Sequence, residues 1–234
     1  MEADTISKHG RSSKSQMSRG YFLRKVCSVL LTAAFFIAVP SCDKDDDGGG
    51  GGGGGGETMK VSGTLVDDFA DWNQVSVALG EKSGYSPEWS VTVSISNGKF
   101  DLTLPTPEAK HLWSIAEDMP EEGITVSDQT AKMTLAEFYA RKDGDSRYIL
   151  LCNFGETTYV TVEYLYVDKN VNITGTSTWE DEDEEYSSVE NYNVQLKKGW
   201  NYIVDSGTRA SNGNWTYNIT ANGTIPSSAK WQEP

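Results

Sequence analysis

From Lys60 onward the apolar positions recur every second residue. Val75, Val77 and Leu79 alternate with Ser76 and Ala78, Val91, Val93 and Ile95 with Thr92 and Ser94, and Phe100, Leu102 and Leu104 with Asp101 and Thr103. A period of two marks a half-buried β-strand, because successive side chains point to opposite faces. Asn97-Gly98 separates the last two runs and supplies the positive φ that a two-residue hairpin turn needs, so Ile95 is expected opposite Phe100. Pro105-Thr106-Pro107 then breaks the pattern. Thr106 suits a cap, Pro107 a first helical position, and Leu112, Ile115 and Ala116 one stripe, so one short helix is predicted over residues 107–118.

After Gly123 the alternation returns. It predicts strands over 132–140, 147–153, 157–167, 171–179, 188–196, 200–205, 215–221 and 225–231. Lys142-Asp143-Gly144, Phe154-Gly155, Asp168-Lys169-Asn170, Lys198-Gly199 and Asn212-Gly213 supply turns between them. About a dozen short strands at this spacing predict an all-β fold, an antiparallel β-sandwich over residues 58–234. It would be one large sandwich or two small packed ones, with any subdivision near residues 105–146.

The chain before residue 58 reads differently. Arg24-Lys25 precedes an apolar run, 26–40, that is shorter than the ~20 residues of a membrane-spanning helix. With the small-residue site Val39-Pro40-Ser41 it makes a secretory signal peptide over residues 1–41, and Met17 offers a second start inside it. The cysteine placed next, Cys42, resembles that of the lipobox of bacterial lipoproteins, which implies that its thiol is acylated and becomes the lipid anchor. Residues 42–57, acids followed by nine consecutive glycines, form a tether that spans roughly 20 Å as a random coil. Within it Lys44, Asp45, Asp46 and Asp47 resemble the surface-export signal of Bacteroidetes lipoproteins. That resemblance implies display outside the outer membrane; as a plain acidic linker the same run leaves the protein facing the periplasm.

Charge sharpens this picture. The chain carries a net charge of −14. Six of its twenty basic residues and two of its thirty-four acids precede Cys42, which leaves fourteen against thirty-two and about −18 after cleavage. Such a surface repels nucleic acid and anionic headgroups. Cys27 leaves with the leader and Cys42 is spent on lipid, so Cys152, in the apolar run Tyr148–Cys152, has no partner and is expected as a buried, inert thiol. The folded part must then be held by its core alone.

Chemistry is sparse. His111 is the one histidine beyond the leader and is expected as a solvated residue on the short helix. No Gly-x-Ser-x-Gly is present, and a zinc site would need nearly all its ligands from carboxylates, so no cofactor or metal is expected. Glu180-Asp181-Glu182-Asp183-Glu184-Glu185 lacks the central glycine of a calcium loop and reads as a solvated hairpin tip. The seven tryptophans say more. Trp200 and Trp215 sit in strand alternation and are expected in the core. Trp72 and Trp179 sit in turn-like sequence and are the candidates for exposed ligand-binding platforms.

Two stretches resemble known families. Val61-Ser62-Gly63-Thr64-Leu65, Val75-Ser76-Val77 and residues Asn97-Gly98-Lys99-Phe100-Asp101-Leu102-Thr103-Leu104-Pro105 are similar to transthyretin-like or carboxypeptidase-regulatory-like sandwiches. Leu196-Lys197-Lys198-Gly199-Trp200-Asn201-Tyr202 with Ser227-Ser228-Ala229-Lys230-Trp231 resembles small β-rich surface lipoproteins of gut Bacteroidetes. These resemblances imply a fold and an address but no chemistry. Three classes stay open: a lipid-anchored protein that captures polysaccharide or nutrients, a structural or adhesive module that engages surface proteins, and a hydrolase using a carboxylate pair.

Overall fold

The computed structural model describes residues 57–80, 88–117, 122–181 and 186–234, with backbone alone at 181 and 186. The signal peptide, Cys42, Lys44, Asp45, Asp46 and Asp47, and residues 182–185 of the acidic run lie outside the described residues.

Fourteen strands follow one another: β1 (Met59–Thr64), β2 (Gln74–Leu79), β3 (Trp89–Ser94), β4 (Lys99–Leu104), β5 (Trp113–Ser114), β6 (Ile124–Val126), β7 (Lys132–Lys142), β8 (Asp145–Phe154), β9 (Thr158–Val167), β10 (Val171–Asp181), β11 (Tyr186–Leu196), β12 (Gly199–Arg209), β13 (Trp215–Ala221) and β14 (Lys230–Gln232). They form an all-β sandwich. A twelve-stranded sheet runs β3-β2-β7-β8-β9-β12-β13-β11-β10-β6, with β5 added to β7 and β14 to β8, and a small sheet pairs β1 with β4. All pairs in the long sheet are antiparallel except β11 with β13. Strand β7 is the junction. Its second half pairs with β8 across the two-residue turn Asp143-Gly144, and its first half pairs with β9.

The turn at Asn97-Gly98 forms, with φ of 52° and 72° and a bridge between Ser96 and Lys99. The hairpin does not continue, and Ile95 does not face Phe100. The Ile95 N–H donates to Asn73, keeping β3 on β2, while the Leu65 N–H donates to Gly98 and draws the turn toward β1. Phe100 lies opposite Gly63 instead. The two-residue turn is a corner between sheets.

The predicted helix over 107–118 is absent as well. The segment makes three-residue 3-10 turns at Ala109–His111 and Ile115–Glu117 around β5. Leu112 is extended, Trp113 pairs with Met133, and the Ile115 N–H donates to Ala131. An apolar stripe that suits a helix is used to dock a strand edge, and tertiary pairing overrides local preference.

Each face of the long sheet carries a core. On one face Val75, Val77, Phe138, Val162, Tyr164 and Trp200 pack beneath the small sheet's Val61, Phe100, Leu102 and Leu104. Trp231 of β14 lies in the same core, its ring parallel to Tyr164 at 6.2 Å and tilted over Phe138 at 4.8 Å. The opposite face, here the polar face, is apolar only at one end, where Met133, Leu165, Val167, Ile173, Val194 and Ile203 cluster around Ile115. Beyond that end the face turns polar and aromatic.

Candidate functional site

Strand β9 reads Thr-Tyr-Val-Thr-Val-Glu-Tyr-Leu-Tyr-Val and is apolar on both sides of Glu163. A strand covered on both faces needs such a composition, and the acid within it is the anomaly. Register places its neighbours. On the polar face Glu163 lies opposite Ile203, then Thr161 opposite Asp205, then Tyr159 opposite Gly207. Across β13, Ile219 continues from Asp205 and Tyr217 from Gly207. In β11, Tyr192 lies beside Ile219 and Glu190 beside Tyr217. The second core is therefore followed by carboxyls and then by aromatic rings.

Four carboxyls, on β7, β9, β12 and β11, are spread over successive levels here: Glu163 beside Ile203, Asp205 one level on, and Glu190 beside Tyr217. The outer two are satisfied: Tyr139 donates its hydroxyl to Glu137 at 3.0 Å and Tyr192 donates to Glu190 at 2.7 Å. The inner two are not. Oε2 of Glu163 and Oδ1 of Asp205 are out of contact with water and have no hydrogen-bond partner. Burial, and then the charge of Glu137, pushes the Glu163 carboxyl up to about 7. Burial, followed by Glu163 and Glu190, pushes Asp205 up to about 8. Among the described residues no lysine or arginine pairs with either, and burying an unpaired carboxylate favours its neutral form. Beside them burial raises Tyr148 well above the ordinary phenol range, and pushes Cys152 up to about 11 despite a hydrogen bond from Gln232. Cys152 is fully buried, as expected of an inert thiol.

A strip of rings follows. Phe154 on β8 meets Tyr159 at 5.4 Å, Tyr159 meets Tyr217 edge-on at 5.6 Å, and Tyr217 stacks on Trp215 at 5.7 Å with 13° between planes. Gly207 makes this continuity feasible. A Cβ there would stand 2.7 Å from two atoms of the Tyr217 ring, so the bare backbone lets Tyr217 lean across β12 toward Tyr159. Arg209 lies over Trp215 at 6.0 Å and donates to the Gly213 carbonyl. Phe154 is 43 % exposed, the one large apolar side chain so exposed among the described residues. Tyr217 and Trp215 are half-buried and Tyr159 forms the floor.

The two tryptophans singled out in the sequence part company here. Trp179 is half-buried and lies opposite Ser188, which in turn lies beside Trp215, so it extends the ring-bearing level onto β10. Trp72 packs edge-on against Phe69 at 5.4 Å under Arg147, at the margin of the core beneath the small sheet. The structure does not bring these two together. Trp200 is fully buried, with its indole N–H donating to Pro105, whereas Trp215 leaves the core for the strip. His111 is buried, not solvated, and its Nδ1 has no partner, because the segment folds as a 3-10 turn against the sheet.

Sequence reasoning missed Glu163, Asp205, Phe154, Tyr159 and Tyr217. For the two acids a signal existed: each is a lone carboxylate among apolar neighbours, Val162 and Tyr164 in one case, Ile203 and Val204 in the other.

Among the described residues no group of three or more histidine, cysteine, aspartate or glutamate side chains is placed to hold a metal ion, and no helix is long and apolar enough to cross a membrane. Acid–base division of labour needs two carboxyls whose environments push their affinities for protons apart. Glu163 and Asp205 are pushed the same way, upward, by burial and neighbouring acids. No protein family, curated protein or solved structure matches the chain.

Proposed function

We propose that the protein is a lipid-anchored binding protein of a bacterial outer surface that captures glycans on the polar face of its long sheet. The observation that carries the reading is the aromatic strip of Phe154, Tyr159, Tyr217 and Trp215, a run of rings across four strands held in line by the absence of a side chain at Gly207. Rings in series offer apolar faces on which successive sugar rings stack. The leader, Cys42 and the glycine tether support an address at the membrane with the domain free to turn.

Retention on a panel of immobilised polysaccharides tests this. Phe154→Ala and Trp215→Ala are each expected to weaken retention by about 1–2 kcal/mol, roughly five- to thirty-fold. Phe154→Ala lowers the melting temperature less than truncation of a core ring, because Phe154 is the most exposed of the strip. Gly207→Val displaces Tyr217 and weakens retention without touching a contact residue directly. A wild-type protein that holds no polysaccharide refutes the reading and leaves an adhesive module in its place.

A further inference from the structure

The rings account for the apolar part of a saccharide and leave the carboxyl level without a task. Asp205 is 8 % exposed, and its Oδ1 has no partner; Glu163, half-buried one level closer to the second core, likewise has an unpartnered Oε2. Among the described residues the titratable groups around the pair are acids: Glu137 and Tyr139 from β7, Tyr148 and Cys152 from β8, and Glu190 and Tyr192 from β11. Two arginines among the described residues lie on this face. Arg141 donates from Nη1 to Ser76 and lies over Trp89, with its Nε unpartnered, and Arg209 lies over Trp215; neither pairs with Asp205 or Glu163. Resting on the glycan reading, we infer that this site selects amino sugars: the rings stack on the sugar while Asp205 and Glu163 receive a free ammonium group on it.

A neutral hydroxyl is poorly matched to this level, since a carboxyl row with no cation of its own gains most from a positively charged donor. The flanking rings add cation–π attraction for the same group. The outer carboxylates, each held by a tyrosine hydroxyl, fix the width of the row and leave the inner two as acceptors. Binding an ammonium favours the ionised carboxyls, so a proton leaves the protein as the ligand arrives. Affinity therefore rises with pH through the titration of these two groups and falls once the ligand amine loses its own proton.

Isothermal titration at pH 6 with glucosamine oligosaccharides tests the inference, against N-acetylated oligomers of equal length, in two buffers of different protonation heat. The expected result is a free-amine preference of roughly ten-fold or more, as a charge-assisted hydrogen bond gives, with heats that differ between buffers by about one released proton. Asp205→Asn and Glu163→Gln abolish both the preference and the proton release. Glu156→Gln, which removes an equal charge at an exposed position, changes neither. Equal affinity for both oligomers with no proton release overturns the inference while the glycan reading stands. An equal loss in Glu156→Gln overturns it in favour of general attraction to an acidic surface. Binding of neither oligomer, together with failure on every polysaccharide of the panel, removes the glycan reading itself.

Discussion

At Asp205 the sheet takes water from a carboxyl and gives it no cation, so the proton is held more tightly in the folded chain than in the unfolded one. Its affinity moves from the ordinary 3.8 up to about 8, and that of Glu163 from 4.5 up to about 7. Between those limits the folded state carries more protons than the unfolded state, so stability is full below the unfolded values and falls as pH rises through the folded ones. Exposed Asp71 and Asp128 act in the opposite sense, held low by Lys142 and by the Thr130 hydroxyl respectively, so what they contribute fades only as pH falls below the ordinary carboxylate range. The melting temperature is therefore expected to decline from pH 5 to pH 8.5. Asp205→Asn and Glu163→Gln flatten that decline, melting above wild type at pH 8.5 by more than at pH 5, a comparison that calorimetry at the two pH values makes directly.

Strand β14 is three residues long and yet fixes how the two sheets meet. The Trp231 C=O accepts from the Val66 N–H while its strand pairs with β8, and the ring fills the space among Phe100, Phe138 and Tyr164, lying over Gly63 where no side chain fits. Trp231→Ala is expected to cost about 3–5 kcal/mol in denaturant unfolding, with the slope against denaturant unchanged if the transition stays two-state. That strand is at the limit of what a sequence discloses. Its alternation marks residues 225–231 as extended, but only Lys230–Gln232 pair, and the partner lies in β8. The long strands β7 to β13 were legible because alternation, turn glycines and covered faces all agree there. Residues 107–118 were misread because a Thr-Pro start and a spaced apolar stripe suit a helix locally, whereas Trp113 and Ile115 bond to β7 and the loop before it. The carboxyl level lay hidden for a related reason. Glu137, Glu163, Glu190 and Asp205 are far apart in sequence, and only the register through β9, β12, β13 and β11 sets the last three on one face.

For the whole molecule the proposed anchor at one end and strand β14 at the other can be tested separately. Cys42→Ala is expected to abolish acylation, since no thiol is left to carry the chains, and with it the membrane affinity of ~0.8 kcal/mol that each buried CH₂ contributes. Palmitate-analogue labelling reads this, and label surviving in the mutant refutes the anchor. Replacing Lys44, Asp45, Asp46 and Asp47 with alanine keeps the lipid and removes surface display, measured by protease shaving of intact cells; equal cleavage with wild type reduces that run to a spacer. Strand β14 has a kinetic side. The bridge between Leu65 and Trp231 joins residues near opposite ends of the described chain, and β8 waits for β14 along one edge. Contacts of such sequence separation close slowly, because the loop entropy is lost before the contact repays it. A chain that lacks residue 231 therefore lacks both the pairing with β8 and the ring that Phe138 and Tyr164 pack against, so the two sheets meet only once the last strand is in place.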